Sequence, residues 1–315
     1  MARLIFASAL DRQAKRYAWL RVVLFQVESF IVHLFWWSFR ALSPTRAARL
    51  GRFAVGALGP RSAKATTVKD NLRIAFPELD KPAIDDLALR TWRNIGLVFG
   101  EYPHLDRIAR SKDRLEVIDH CNLDVYKRRE RQAIFFGAHL SNWEIMALAL
   151  AREGVPLLAL HAPLQNRHLG KLLDRAREQL GCRMLARGES MRALITQVRE
   201  GGSLGLLLDL SMKDGEPVPF FGHPMRTSLT PARMARRYGC DIVPMRTERL
   251  GEARFRVIAY PPVVLDTSVD DEQTSAIAVT TQLNALMEQW IREQPDEWMC
   301  ANRRWEKSLH RSLPR

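Results

Sequence analysis

Cysteine and lysine are scarce in this chain, and acidic residues are outnumbered by basic ones. The four cysteines, Cys121, Cys182, Cys240 and Cys300, stand singly, about sixty residues apart. No CxxC or Cys/His spacing is present, so neither a zinc site nor a disulfide framework is indicated, and the thiols read as small apolar side chains in a reducing compartment. Repeats and low-complexity tracts are missing too. With 47% hydrophobic residues in 315, there is ample apolar material for a core, which excludes intrinsic disorder. The 35 acidic residues are outnumbered by 48 basic ones, a formal charge of +13, and only 9 of the 48 are lysine against 39 arginine. Arginine's planar fork binds oxyanions bidentately, so the excess suggests a phosphate-bearing partner, whether nucleic acid, phospholipid headgroup or phosphorylated sugar. A GC-rich genome would produce the same bias, and charge alone does not choose.

A single long hydrophobic run is present, residues 22–39, VVLFQVESFIVHLFWWSF, between Arg21 and Arg40. Its basic flank has the shape of a signal peptide, but Arg40, Pro44, Arg46 and Arg49 follow in place of a small-residue cleavage site, so the run is expected to stay attached. It barely reaches the roughly 20 residues of a transmembrane helix and carries Glu28 near its middle. Gln26, Ser29, His33 and Arg40 fall on one helical stripe. Basic residues flank both ends, so the positive-inside rule gives no reason for the flanks to lie on opposite sides. The pattern suits a helix lying in or dipping into one leaflet; a buried helix of a large soluble protein would share it.

From Leu50 to about Asp106 the periodicity is helical, with an amphipathic helix over 83–102. Beyond Leu115 short apolar runs at 133–139, 155–160, 203–210, 241–247 and 254–260 alternate with helical stretches at 143–153, 168–180, 189–200 and 229–238. That alternation predicts an α/β fold, a mostly parallel central sheet flanked by helices, with the hydrophobic helix at its N-terminus. In such sheets functional groups collect where the chain leaves the carboxyl end of a strand. The first such exit reads Gly137-Ala138-His139-Leu140-Ser141-Asn142-Trp143-Glu144. With His139 in the loop and Glu144 in the first helical turn, the two side chains can meet, and a carboxylate on one imidazole nitrogen would leave the other as a base. Ser141 and Glu144 also match a capping box, and His139 also fits a structural role.

The H-x4-E pattern after an apolar strand resembles the H-x4-D/E motif of the lysophospholipid acyltransferase superfamily. NLRIAFPEL (71–79), GAHLSNWE (137–144), MLARGESM (184–191), GLLLDLS (205–211), VPFFG (218–222) with Thr227 after it, and Asn302-Arg303-Arg304-Trp305 follow in order over most of the chain. Together they resemble the bacterial late lipid A acyltransferases. The resemblance implies transfer of an acyl chain from acyl carrier protein to a hydroxyl of a phosphorylated glycolipid, a lipid A precursor, with no cofactor and no metal. It implies His139 as general base with Glu144 as its orienting partner, and Arg177 and Asp209 as further site positions. Asn166, Arg167 and Arg187 are weaker phosphate or acceptor candidates. It also implies attachment to inner-membrane lipid, with the catalytic domain on the cytoplasmic side of the bacterial inner membrane. The chain then divides into a membrane-anchoring helix, 1–42, and an α/β acyltransferase domain, 43–315. The C-terminal block departs from the family pattern, with Cys300-Ala301-Asn302 before the arginine pair where the family has Trp-x-His.

Three other readings compete. Gly201-Gly202-Ser203-Leu204-Gly205 fits the G-x-S-x-G nucleophile elbow, but a helix precedes it and a strand follows, the reverse of the order the elbow needs. A membrane-tethered nucleic-acid-binding protein would explain the charge, yet the arginines are spread along the chain without aromatic clustering. An acyltransferase acting on another lipid, such as a lysophospholipid, a glycolipid or an ornithine lipid, differs from the favoured reading only in its acceptor.

Overall fold

The structure is a computed structural model that describes residues 17–161, 167–178, 183–186, 191–265 and 271–313. Four helices open it: α1 (Ala18–Arg40), which is the apolar run, α2 (Pro44–Leu58), α3 (Ala65–Ala75) and α4 (Lys81–Glu101). Ser43 and Asp80 cap α2 and α4, accepting from the N–H groups of Arg46 and Ala83, and a proline stands in the first turn of each. After the short α5 (Leu105–Arg110), strands and helices alternate through β1 (Leu115–Asp119), α6 (Leu123–Lys127), β2 (Ala133–Gly137), α7 (Glu144–Arg152), β3 (Leu157–His161), α8 (Arg167–Glu178), β4 (Arg183–Ala186), α9 (Met191–Arg199) and β5 (Ser203–Leu207). The hairpin β6 (Glu216–Phe220) and β7 (His223–Thr227), α10 (Thr230–Tyr238), β8 (Asp241–Gly251), β9 (Arg254–Ala259), α11 (Glu272–Glu293) and α12 (Lys307–Ser312) complete the described chain.

Seven strands form one sheet in the order β1-β9-β8-β2-β5-β3-β4. Every neighbouring pair is parallel except β8 with β9, so the expected α/β class is the one found. The exception has a simple cause: only Glu252 and Ala253 separate β8 from β9, and a parallel crossover takes a dozen or more residues. All five residues of β2 are buried, as a parallel strand covered on both faces requires. Ile134 and Phe136 face a core with Leu204, Leu283, Met287 and Trp290. Ala133 and Phe135 face the opposite one, with Ile145, Leu148, Val243 and Phe255.

The β6–β7 hairpin escaped the sequence pattern because EPVPF and HPMRT carry three prolines, which weigh against a strand inside a large sheet but are tolerated in a two-stranded ribbon. Phe221 (φ 50°) and Gly222 (φ 72°) form its turn, both left-handed, the geometry that matches strand twist in two-residue hairpins. The Phe221 ring stacks on Trp298 at 5.8 Å and meets Trp305 edge-on at 6.4 Å. The hairpin thus seats the C-terminal segment that carries both tryptophans.

Small residues let α2 lie against α4. A Cβ added at Gly51 would sit 2.2 Å from the Gly96 carbonyl oxygen, one at Gly96 2.3 Å from that of Gly51, and one at Gly100 2.3 Å from that of Ala47. The obstructing atoms are backbone and cannot rotate away. Gly96→Val is therefore expected to lower stability by about 3 kcal/mol or more, the upper end for overpacking, read as a fall in the thermal midpoint; an unchanged midpoint would show that the helices are not held at this distance.

Candidate active site

The neighbouring parallel strands β2 and β5 release the chain side by side, and the two residues that follow at equivalent distance meet: His139 comes two residues after the end of β2, Asp209 two after the end of β5. His139 Nδ1 donates to Asp209 Oδ1 at 2.6 Å, and the His139 backbone N–H reaches the same oxygen at 3.0 Å. The other carboxylate oxygen accepts from Trp298 Nε1 at 3.0 Å and Arg304 Nη2 at 3.1 Å. Asp209 is fully buried. Burial would raise its pKa, but the His139 ring and the Arg304 guanidinium outweigh that and hold it well below the usual carboxylate range. An ionised carboxylate only accepts, so Nδ1 carries the proton and the Nε2 lone pair is left for a substrate. The ring is 14% exposed and lies beside the Trp143 ring, centroids 5.2 Å apart.

The carboxylate on the imidazole is thus that of Asp209, where the local sequence suggested Glu144. Glu144 opens α7 and turns to a different set of partners. It accepts from Tyr102 Oη at 2.9 Å and from Arg177 twice, Nε at 3.0 Å and Nη2 at 2.5 Å. Both members of this bidentate pair are largely buried. Burial works against the Arg177 charge, but the Glu144 carboxylate overrides it and holds the guanidinium protonated. Burial, and then the Glu144 charge, raises the Tyr102 hydroxyl well above its ordinary pKa, so it stays a donor. The capping box is not formed either: Trp143 is the N-cap of α7, without a side-chain hydrogen bond, and Ser141 takes a left-handed conformation, φ 54°.

The loop between His139 and Glu144 is held from two sides. The C-terminal segment runs along it: the Met299 N–H donates to the His139 carbonyl at 2.8 Å, and the Ser141 N–H to the Glu297 carbonyl at 3.0 Å. From beneath, Asn142 Nδ2 donates to Glu101 Oε2 at 3.1 Å. Glu101 is fully buried and forms a double contact with Arg249. Glu101, Tyr102, Trp298 and Arg304 carried no role in the sequence reading. Arg304 had a signal, its place in the Asn302-Arg303-Arg304-Trp305 block; the others gave none, since each acts through a contact with residues at least forty positions away.

Of the remaining candidates, Asn166 and Arg187 lie outside the described residues, and of Arg167, the first residue of α8, only the backbone is described. Among the described residues no group of three or more His, Cys, Asp or Glu side chains is placed to hold a metal ion. Ser203 starts β5, fully buried, with Oγ accepting the Ala133 N–H at 3.1 Å, so its hydroxyl completes a strand edge and does not face a substrate.

The family model for bacterial lipid A biosynthesis acyltransferases matches residues 15–307. Among curated proteins, the chain is similar to a lipid A biosynthesis myristoyltransferase of Escherichia coli (strain K12), 24% identical over 261 residues that cover 80% of this chain and 77% of the relative. It is similar to the same extent to lipid A biosynthesis acyltransferase 1 of Shigella flexneri, with 24% identity over 261 residues.

Two outcomes follow from the geometry. Ser203→Ala is expected to keep turnover near wild type once the protein is folded, and a loss comparable to removal of His139 would restore the serine as a nucleophile. Burial pushes the Glu297 carboxyl up to about 7, against the opposing pull of Arg249. A carboxyl raised above its unfolded value of about 4.3 contributes stability that is full below that pH and is lost as pH rises through about 7. Glu297→Gln removes this loss, so its thermal midpoint should gain on the wild type between about pH 5 and 8; a constant gap would place the carboxyl in water.

Proposed function

The chain belongs to the bacterial lipid A biosynthesis acyltransferase family and is an acyltransferase; from that premise we propose that it moves a fatty acyl chain from an acyl carrier protein thioester to a hydroxyl of a lipid A precursor, with His139 as general base. The observation that carries the reading is the 2.6 Å hydrogen bond from His139 Nδ1 to the buried Asp209 carboxylate, which directs the basic Nε2 outward. His139 Nε2 takes the proton of the acceptor hydroxyl, and the oxygen attacks the thioester carbonyl. As the tetrahedral intermediate collapses, the ester C–O bond is kept and the C–S bond breaks. The leaving thiolate takes the proton back from the imidazolium. Asp209 stabilises that imidazolium without accepting its proton, and Trp298 and Arg304 keep the carboxylate ionised and in place. The positive N-terminal end of α7 favours the oxyanion electrostatically, since the Ile145 and Met146 N–H groups already bond the Asn142 and Trp143 carbonyls.

In this scheme Glu144 acts through Arg177 and not on the imidazole: the pair joins the first turn of α7 to α8 and fixes the wall beside His139. We assign residues 43–315 to catalysis and residues 1–42 to attachment at the cytoplasmic face of the bacterial inner membrane. Support for the attachment comes from α1, whose segment Val22–Arg40 has a mean hydropathy of 1.5 and is 17% buried. The arginine excess then serves an anionic bilayer, a phosphorylated acceptor and an acidic carrier protein.

With purified acyl carrier protein thioester and lipid A precursor, His139→Ala and Asp209→Asn are each expected to lower kcat by about 10² or more, with the thermal midpoint monitored in parallel. Wild-type turnover by His139→Ala would sink the assignment. Lipid A from a strain lacking this protein should lose one acyl chain by mass spectrometry, and an unchanged pattern would move the acceptor to another lipid.

A further inference from the structure

The folded body touches α1 between Glu28 and Arg40, while Phe30, Leu34 and Trp37 of that stretch stay exposed. Glu28 is 3% exposed and Ser29 is also buried, and the helix touches α8 on one side and Tyr102–His104 on another. Near its end the Phe39 carbonyl accepts from the buried His104 ring at 2.9 Å. Arg40 grips Asp106, Nη2 to Oδ2 at 2.7 Å, and also bonds the Pro103 carbonyl. The span from Glu28 to Arg40 is about 18 Å of helix. Among the described residues Tyr17–Val27 reaches beyond it, about 16 Å against a hydrocarbon core of about 30 Å. Arg21 lies within that stretch, and Arg12, Lys15 and Arg16 close the apolar run before it. Crossing would draw Glu28 and the charged body into the hydrocarbon.

The next helix, which follows the anchored Arg40 end of α1, carries an apolar surface of its own. With Ala47, Ala48, Gly51 and Gly56 buried on its inner side, α2 turns Leu50, Phe53 (77% exposed) and Leu58 (68% exposed) outward. Arg46, Arg49 and Arg52 stand exposed among them. Phe99, next to the Gly100 that meets Ala47, and Leu250, two residues from the Glu252 that reaches Arg49, are exposed beside this face. Sequence charge agrees with the geometry: from Ser29 to Lys69, 41 residues, there are seven Lys and Arg and no Asp or Glu. Large exposed apolar side chains interleaved with arginines are complementary to the boundary between anionic headgroups and acyl chains.

We propose that α1 and α2 form one docking surface for a single leaflet of an anionic bilayer, α2 lying in the headgroup boundary and α1 dipping into that leaflet without crossing it. This rests on the membrane attachment proposed above and is independent of the acyl-transfer chemistry. Both ends of α1 then lie on the side of the catalytic domain, and the site meets its lipid acceptor from within the same leaflet.

Two cysteine positions in the full-length chain, with Cys182→Ser to leave only Cys121, Cys240 and Cys300, which are buried, test the arrangement. In inverted inner-membrane vesicles an impermeant maleimide should label Ser8→Cys as readily as the exposed Lys213→Cys; protection of Ser8→Cys until detergent is added means that α1 crosses, and overturns the proposal. A polarity-sensitive fluorophore on Phe53→Cys should shift to the blue on vesicles containing phosphatidylglycerol and be quenched by headgroup-labelled lipid. A probe that stays in water on those vesicles overturns the role of α2, and a blue shift that grows with protein concentration without lipid assigns the face to a second copy of the chain. The double variant Arg46→Ala, Arg52→Ala should weaken partition onto anionic vesicles by about tenfold or more and leave phosphatidylcholine vesicles unaffected; equal loss on both overturns the electrostatic part. If the wild type floats with neither vesicle, the attachment itself fails, a result distinct from each of these.

Discussion

One buried carboxylate joins three distant parts of this chain. Asp209, at the exit of β5, accepts from the His139 loop through one oxygen and from Trp298 and Arg304 of the C-terminal segment through the other. A fully buried charge with no partners would be severely destabilising, and removing one partner from a buried ion pair costs about 3–5 kcal/mol. The loop, the strand exit and the C-terminal segment must therefore reach their places together. Such an arrangement specifies geometry more than it adds stability, since a buried pair is often no better than well-packed apolar groups. What it secures is an imidazole with a fixed tautomer at the carboxyl end of a parallel sheet.

Around that centre the supports are themselves anchored. The Phe221 ring, at a left-handed turn of the β6–β7 hairpin, stacks on Trp298, so a strained turn and an aromatic cluster hold the tryptophan that in turn holds Asp209. On the other side, Glu101 and Tyr102 end α4 by meeting Asn142 and Glu144. The same helix packs against α2 through Gly51, Gly96 and Gly100. One helix, α4, thus contacts both α2, which we assign to the bilayer surface, and the loop that carries the proposed base His139.

The carboxylate pairing shows where local reasoning stops. His139 and Glu144 are five residues apart, and a turn that brings them together is easy to write; instead, each finds a partner from farther along the chain, Asp209 and Arg177. Glu144 has an arginine and a tyrosine to satisfy both its oxygens in a nearly dry place, whereas the imidazole gains a carboxylate already polarised by Arg304. The pairing follows from strand order, because β2 and β5 are neighbours with seventy residues between their exits. The hairpin and its prolines were hidden for a similar reason, since a two-stranded ribbon obeys looser rules than a sheet interior.

By itself the sequence determined the elements with strong periodicity: the apolar helix with its polar stripe, the buried strands of a parallel sheet, the loop that carries His139 and the family blocks that point to acyl transfer. Those properties depend on residues within a few positions of one another, where backbone spacing alone decides which side chains share a face. Which carboxylate orients the histidine, which residues keep that carboxylate charged, and how far α1 stands clear of the body were decided only by the tertiary structure. Each is a contact between segments whose separation in sequence says nothing about their distance in space until the strand order and the helix packing are known.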